Sequence, residues 1–437
     1  MDWNRWYSLK SYLRSSLWTV PLIAVAIYAL IKPLTEMLGR WMIGQHLLDP
    51  KTGFFGLSMT GARSLVGDIV SADLAFLVFT FGSLLVAIQV AGGQYTPRII
   101  ATTLLRDNVI RGTSGLFVFA LLFANRTLAW MGEEQVHQLQ VFLAALFGFA
   151  SVVAFLFLID YAARFLRPVS LVARVGALGI AVIDSVYPAP ATGRIAALKA
   201  TGERRVPDRI VRHRGKSGIV LAVNLKRLVA KGRRTDSVIE LVPQVGDFVA
   251  VGEPLFYLYG NASAIDENRL RALVALGTER TMEQDPMFAF RILVDIALKA
   301  LSAAINDPTT AVLAIDQLQR LLSVVGKRSL YLEEIEDSSG QVRVIFRTPN
   351  WENYVHIGFR EIRQYGAGSI QIARRLRAAI ENLLQSLPEH RHHALLVELD
   401  LLDRVIDKQH LFPEDRALAR IADSQGLGGS VTSSSGD

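Results

Sequence analysis

The 437-residue sequence contains no cysteine, and charged residues make up only 20% of it against 51% hydrophobic. Without cysteine there is no disulfide framework, thiolate zinc centre, iron–sulfur cluster or cysteine nucleophile. The charged fraction lies below the roughly 25% usual for soluble domains, and mean hydropathy is +0.30, so part of the chain belongs in a bilayer. Also lacking are a Walker loop, a Gly-x-Gly-x-x-Gly after a strand, a His-Glu-x-x-His and a Gly-x-Ser-x-Gly, so nothing supports an enzyme. His390, His392 and His393 bunch at a helix start without acidic partners. That spacing does not suit a metal, and neither a metal nor a cofactor is expected.

What is present is concentrated early. Residues 17–31, 74–90, 116–131 and 139–159 are apolar runs near the roughly 20 residues that cross a hydrocarbon core, with Lys32 and Trp18 placed for the interface of the first. A signal peptide is the rival reading of the first run, but three more spans follow and no small-residue cleavage site stands at the right distance. Lys and Arg fall before the first span, between the second and third (Arg98, Arg106, Arg111) and after the fourth (Arg164, Arg167, Arg174), whereas 132–138 holds Glu133 and Glu134 and no cation. The positive-inside rule then makes both termini cytoplasmic. The loop over 32–72 would lie outside and carry a short amphipathic helix around 37–43.

Ionisable groups inside spans are costly and mark function or pairing. Asp73, Gln89, Asn125, Arg126 and Asp160 are the intramembrane or pore candidates, with an Asp73 to Arg126 ion pair expected at the outer depth. Arg126 either snorkels to the outer headgroups or faces the bundle interior. Gln94, Tyr95, Thr96, Arg98 and Arg106 are the inner-mouth candidates, on or beside an interfacial helix opened by Thr96-Pro97 and running to about residue 110.

The remainder reads as a cytoplasmic α+β region. An amphipathic connector over 168–206 ends in a Pro-rich break, and short β-rich runs follow at 218–223, 237–242 and 254–259. Gly246-Asp247-Phe248-Val249 and Gly252-Glu253-Pro254-Leu255 look like the hairpin of barrel-sandwich hybrid domains, the class of biotinyl and lipoyl carriers. Gly260-Asn261-Ala262-Ser263 stands where a carrier would place its lysine, so an assembly or gating module is expected instead. Asp285-Pro286 and Asp307-Pro308 are N-cap signals for two apolar helices. Arg280, Glu283, Asp285, Asn306 and Asp307 form a candidate polar cluster. Further on come a strand at 342–346 and helices near 351–365, 369–386, 389–410 and 413–423. Arg374, Arg375 and Arg377 read as a solvated basic face without a nucleic-acid motif. The expected domains are 1–167 (four transmembrane helices), 168–206 (connector), 207–260 (β domain), 261–425 (helical) and 426–437 (disordered tail).

The run Arg280-Thr281-Met282-Glu283-Gln284-Asp285-Pro286, with Leu293-Val294-Asp295-Ile296-Ala297 and Ser302-Ala303-Ala304-Ile305-Asn306-Asp307-Pro308, resembles the signature of bacterial membrane proteins grouped as domain-of-unknown-function family 2254. Leu13-Arg14-Ser15-Ser16-Leu17-Trp18 and Tyr95-Thr96-Pro97-Arg98 extend the resemblance over nearly the whole chain. The family's usual Ser-Pro-Ala has become Ser302-Ala303-Ala304, which loses one proline and leaves the cap intact. The resemblance implies a bacterial inner-membrane protein and supplies no activity. Two readings remain. One is a homo-oligomeric channel or transport protein for an inorganic ion, anions preferred, with membrane lipids as its other partners. The other is a membrane-anchored sensor or scaffold whose cytoplasmic region binds a partner or small ligand.

Overall fold

The structure is a computed structural model that describes residues 3–44, 58–96, 98, 106–131, 138–190, 206–330 and 334–429. The chain forms two compact units. One comprises Tyr12–Gly93 and Pro97–Arg167; the other comprises Met1–Ser11, Gln94–Thr96 and Pro168–Asp437.

The first unit is built from helices α2 (Thr19–Gly44), α3 (Met59–Gln94), α4 (Asn108–Trp130) and α5 (Gln138–Phe165), preceded by the end of α1 (Trp3–Ser15). α2 runs through Pro33 without ending, so the separate helix expected over 37–43 is simply its continuation. α4 starts where the Asp107 carboxylate accepts hydrogen bonds from the N–H of Val109 (2.9 Å) and Ile110 (3.1 Å). Between the helices, Phe76 and Phe155 stack at 4.3 Å, and Phe147 meets Phe119 and Phe123 edge-on. Gly148 on α5 admits Ile69 of α3, because a Cβ there would stand 2.9 Å from its side chain. Outward, Leu22, Leu30, Leu85, Phe149 and Leu156 are exposed. An outer face of large apolar side chains around an aromatic interior is what lipid requires. The interfacial helix expected from Thr96-Pro97 lies mostly outside the described residues.

Among the described residues five helices, not four, are long and apolar enough to cross a membrane. The fifth is α6 (Pro168–Val186), expected only as an amphipathic connector. It belongs to the second unit, where Leu171, Val172, Val175 and Ile183 are buried. Gly179 of α6 lies against Ala289 and Leu321 so closely that an added Cβ would come within 2.9 Å of both.

The second unit contains two sheets. One has strand order β1-β5-β3-β8-β7, with β1 (Arg209–Arg212), β3 (Ser237–Leu241), β5 (Pro254–Gly260), β7 (Glu334–Glu336) and β8 (Val342–Phe346). The other has order β4-β2-β6, from β2 (Gly218–Val223), β4 (Phe248–Val249) and β6 (Val274–Gly277). β3 pairs antiparallel with β5 and parallel with β8, so the sheet draws on residues well beyond the expected 207–260. Its core includes Ile239, Leu241, Phe256, Leu258 and Val344. Between β2 and β3 the chain forms a helix, α7 (Leu225–Thr235), capped by the Asn224 side chain at 3.1 Å from the Arg227 N–H. The short α8 (Glu267–Arg271) precedes β6. Trp3 and Tyr7 of α1 pack on Ile219, Leu221, Ala222 and Ala275, and the Asn4 N–H donates to Ala272 O at 3.2 Å.

The helical part follows expectation in α9 (Pro286–Ala300) and α10 (Pro308–Gly326), each opened by an Asp-Pro whose aspartate caps the helix. α11 (Trp351–Gly366), α12 (Ile370–Ser386), α13 (His392–Gln409) and α14 (Pro413–Ala419) complete it. Two expectations fail here. Arg374, Arg375 and Arg377 are buried, not solvated. Arg375 pairs with Asp316 (2.6 Å) and Arg377 with Asp403. Arg374 donates to the carbonyls of Ile421 (3.0 Å), Gly428 (3.2 Å) and Gly429 (2.6 Å). The same bonds correct the tail, because residues 426–429 are held against α12, with Asp423 accepting from the Gly426 and Gly428 N–H groups. Residues 430–437 lie outside the described residues. His392 is hydrogen-bonded to Leu387 O, and no group of metal-ligating side chains occurs among the described residues.

Arg374→Met would remove three hydrogen bonds made by a buried guanidinium and is expected to cost roughly 2–3 kcal/mol. Arg404→Met, which removes an exposed pair with Asp400, should stay within about 0.5 kcal/mol. Unfolding of the full chain in detergent compares them; equal losses would mean Arg374 does not hold the tail.

Candidate functional site

In the membrane-type unit the buried side of α3 carries Ala62, Val66, Asp73, Thr80, Leu84, Ala87 and Ala91. Those positions fall three, four or seven apart, the repeat that keeps one helix face against its neighbours. Two of them are polar. Asp73 is 1% exposed and Thr80 4%, and on α5 Ser151 is wholly buried. Among the described residues, none of the Asp73 carboxylate oxygens, the Thr80 hydroxyl or the Ser151 hydroxyl meets a partner with hydrogen-bond geometry. Ser151 lies near the Asp73 carboxyl from the facing helix. Buried polar groups are nearly always satisfied, so three unspent ones in one bundle call for an explanation. Sequence reading found Asp73 but missed Thr80, two turns along the same face, and Ser151, which looks like any small residue in an apolar run.

The expected Asp73 to Arg126 pair does not form. Arg126 pairs with Glu36 of α2 at 3.9 Å and sits over the Trp130 ring at 5.7 Å, with its side chain 42% exposed. That is an arginine reaching the interface along an aromatic ring. Glu36 was overlooked because it follows the apolar run and the Lys32-Pro33 break. Gln89 and Asn125 are exposed on the outer face of their helices. Asp160 is exposed and pairs with Arg164 one turn on. Arg98 is exposed and Arg106 half-buried. The Gln94 side chain is outside the described residues. Asp107, also missed, is buried and accepts from the Tyr161 hydroxyl at 2.6 Å.

In the second unit the polar cluster resolves into two places. Asp285 and Asp307 cap opposite ends of the α9 region, separated by a 15-residue helix that is about 22 Å long. At the first place Arg280 Nε lies 3.1 Å from Asp285 Oδ2, and Asp285 is 4% exposed. Gly246 (φ +95°) turns over this pair, where a Cβ would overlap Arg280 and come within 2.6 Å of Asp285 Oδ2. Burial pushes the Asp285 carboxyl up to about 6, aided by the charge of Asp247 and opposed by Arg280 and the Phe288 N–H. Glu283 is half-buried two residues before Asp285. A groove of about 550 Å³ adjoins this place, lined among others by Asp247, Arg280, Arg291, His356, Arg360 and Glu361. At the second place Asn306 adopts φ +49°, and Asp307 bonds Thr310. Tyr95 and Thr96 are buried in this same unit, and the negative charge of Asp307 adds to burial in raising the Tyr95 phenol.

A carboxyl raised from about 4 to about 6 on folding binds its proton more tightly in the native state. Between those values the native state carries more protons than the unfolded one, so stability falls as pH rises through the window, by on the order of 2–3 kcal/mol. Asp285→Asn keeps a capping side chain and should flatten that slope. Unfolding midpoints at pH 4.5 and 7 measure it, and an equal slope in both proteins would remove Asp285 as its source.

Comparison with known proteins accords with this architecture. Residues 14–382 match the family described as "Predicted membrane protein (DUF2254)". An uncharacterized protein of Mycobacterium bovis and one of Mycobacterium tuberculosis are each 26% identical to the chain over 431 residues, covering 95% of it and 81% of the relative. No solved structure matches. With the family spanning both the apolar helices and the paired Asp-Pro signatures, the chain belongs to the DUF2254 family of membrane proteins.

Proposed function

We propose that the chain is a channel or transport protein of the bacterial inner membrane, working as a homo-oligomer, with its second unit cytoplasmic and regulatory. The observation that carries this is the buried carboxyl of Asp73 with Ser151 and Thr80, all with unspent hydrogen-bonding capacity inside an apolar bundle. Such groups are kept in a membrane where an ion or proton uses them. Because the buried group is an acid, and Arg126 is neutralised by Glu36, protons or small cations are favoured over the anions expected from Arg126. Gln89 and Asn125, exposed where lipid would leave them unbonded, support a neighbouring copy as their partner.

Chain order supports the topology. Segments Met1–Ser11, Gln94–Thr96 and Pro168–Asp437 share one unit, so two apolar helices leave and return twice, which fits four crossings and an α6 that stays out of the bilayer. The sensor or scaffold reading retains one specific observation, the groove beside Arg280 and Arg360.

In proteoliposomes of the full chain, proton or cation flux that falls at least tenfold in Asp73→Asn, with a smaller change in Arg126→Glu, is the expected result. No flux from folded protein under any gradient would transfer the case to the sensor reading. Since the chain lacks cysteine, Ser8→Cys and Ser338→Cys give clean single labels. An impermeant maleimide should reach both from the same side, and labelling from opposite sides would make α6 a fifth crossing.

A further inference from the structure

A second site lies on the other unit, at the start of the chain. One face of α7 presents Arg227, Lys231 and Arg234 to a cleft of about 410 Å³, closed opposite by Arg269 and floored by Ala230, Ala272 and Leu273. Trp3 forms its remaining wall. Positions 227, 230, 231 and 234 stand three, four and seven apart, so the helix itself aligns the cations. The Asn4 N–H bond to Ala272 O fixes the first turn of α1 beside them.

No carboxylate lines this cleft. The nearest acid acting on it is Asp266, which is engaged with Arg269 at 3.6 Å. Arg227 and Arg234 make no side-chain bond in the structure. The ammonium of Lys231 is pulled below its usual range by burial and by the charges of Arg234 and Arg269, with Asp266 opposing. Four cations facing one cavity, with Asp266 engaging only Arg269 and partly offsetting Lys231, leave an excess of positive charge that an anion would complete. Guanidinium forks and an ammonium together match the oxygens of a phosphate group, which takes bidentate bonds from arginine.

The cleft's edge is the first part of α1, whose exposed surface includes Trp6 (48%) and Leu9 (44%). Aromatic side chains of this kind sit at headgroup level when a helix lies along a membrane. We propose that Arg227, Lys231, Arg234 and Arg269, walled by Trp3, bind a phosphate-bearing ligand that carries at least two negative charges. Its source is either an anionic phospholipid headgroup or a soluble polyphosphate. This site is independent of ion passage through the bundle.

The test uses the full chain in nanodiscs. In one arm the discs contain phosphatidylcholine alone and inorganic pyrophosphate is titrated; in the other they contain cardiolipin, and retention of that lipid after detergent exchange is measured. The variant is Lys231→Glu, and the control is Lys226→Glu, an exposed change of the same charge on the same helix that does not line the cleft. Lys226 is exposed and Lys231 half-buried, so Lys231→Gln, which removes the charge without reversing it, serves in its place if Lys231→Glu does not fold. Binding in either arm should weaken on the order of tenfold in Lys231→Glu and remain near wild type in Lys226→Glu. Response in the cardiolipin arm alone makes the ligand a headgroup, and response in the pyrophosphate arm makes it a soluble phosphate; both support the site. No binding in either arm, or equal loss in the two variants, overturns it.

Discussion

In hydrocarbon a polar group has no water to fall back on, and the helical bundle is organised by that single constraint. Backbone groups are consumed within α2 to α5, and most hydroxyls bond back to their own helix, as Ser83, Ser114 and Thr127 do. Arg126 escapes by reaching Glu36 and Trp130. Asp73, Thr80 and Ser151 take none of these routes, and the contrast with the neighbours gives them their weight. A fold that satisfies so many hydroxyls locally has left a carboxylate and two hydroxyls unsatisfied on facing helices.

The second unit shows a related economy. Its arginines are used as internal fasteners. Arg363 bonds Glu398 inside the α11 to α13 contact, Arg291 bridges Asp295 and Glu361, and Arg374 gathers the C-terminal carbonyls. Breaking one such link leaves a buried charge or carbonyl unpaired, which costs more than forming the link gains. Against this background a cleft whose cations are not so fastened stands out.

Local chemistry was legible in the sequence. Asp285-Pro286 and Asp307-Pro308 named their helix starts because the cap and the proline act within one turn. The strands at 218–223 and 342–346 were visible as β-branched runs bounded by turns. What depends on partners distant in sequence was hidden. Nothing local shows that α6, apolar enough for a span, will bury one face against α9 and α10. Nothing in Arg374-Arg375-Leu376-Arg377 shows that Asp316, Asp403 and the 421–429 carbonyls will enclose it. The site was half legible for the same reason. An aspartate in an apolar run announces itself, whereas its neighbour Ser151 does so only once α3 and α5 are packed.

The placement of α1 has a kinetic consequence. Trp3 and Tyr7 leave the ribosome long before their packing partners Leu221, Ala222 and Ala275, which are made more than two hundred residues later. At roughly 5–20 residues per second that delay is on the order of tens of seconds. Throughout that time the apolar helices that follow α1 are synthesised while the surface on which α1 packs does not yet exist. Completion of the second unit therefore comes late, as a closing step that joins the two ends of a long intervening stretch.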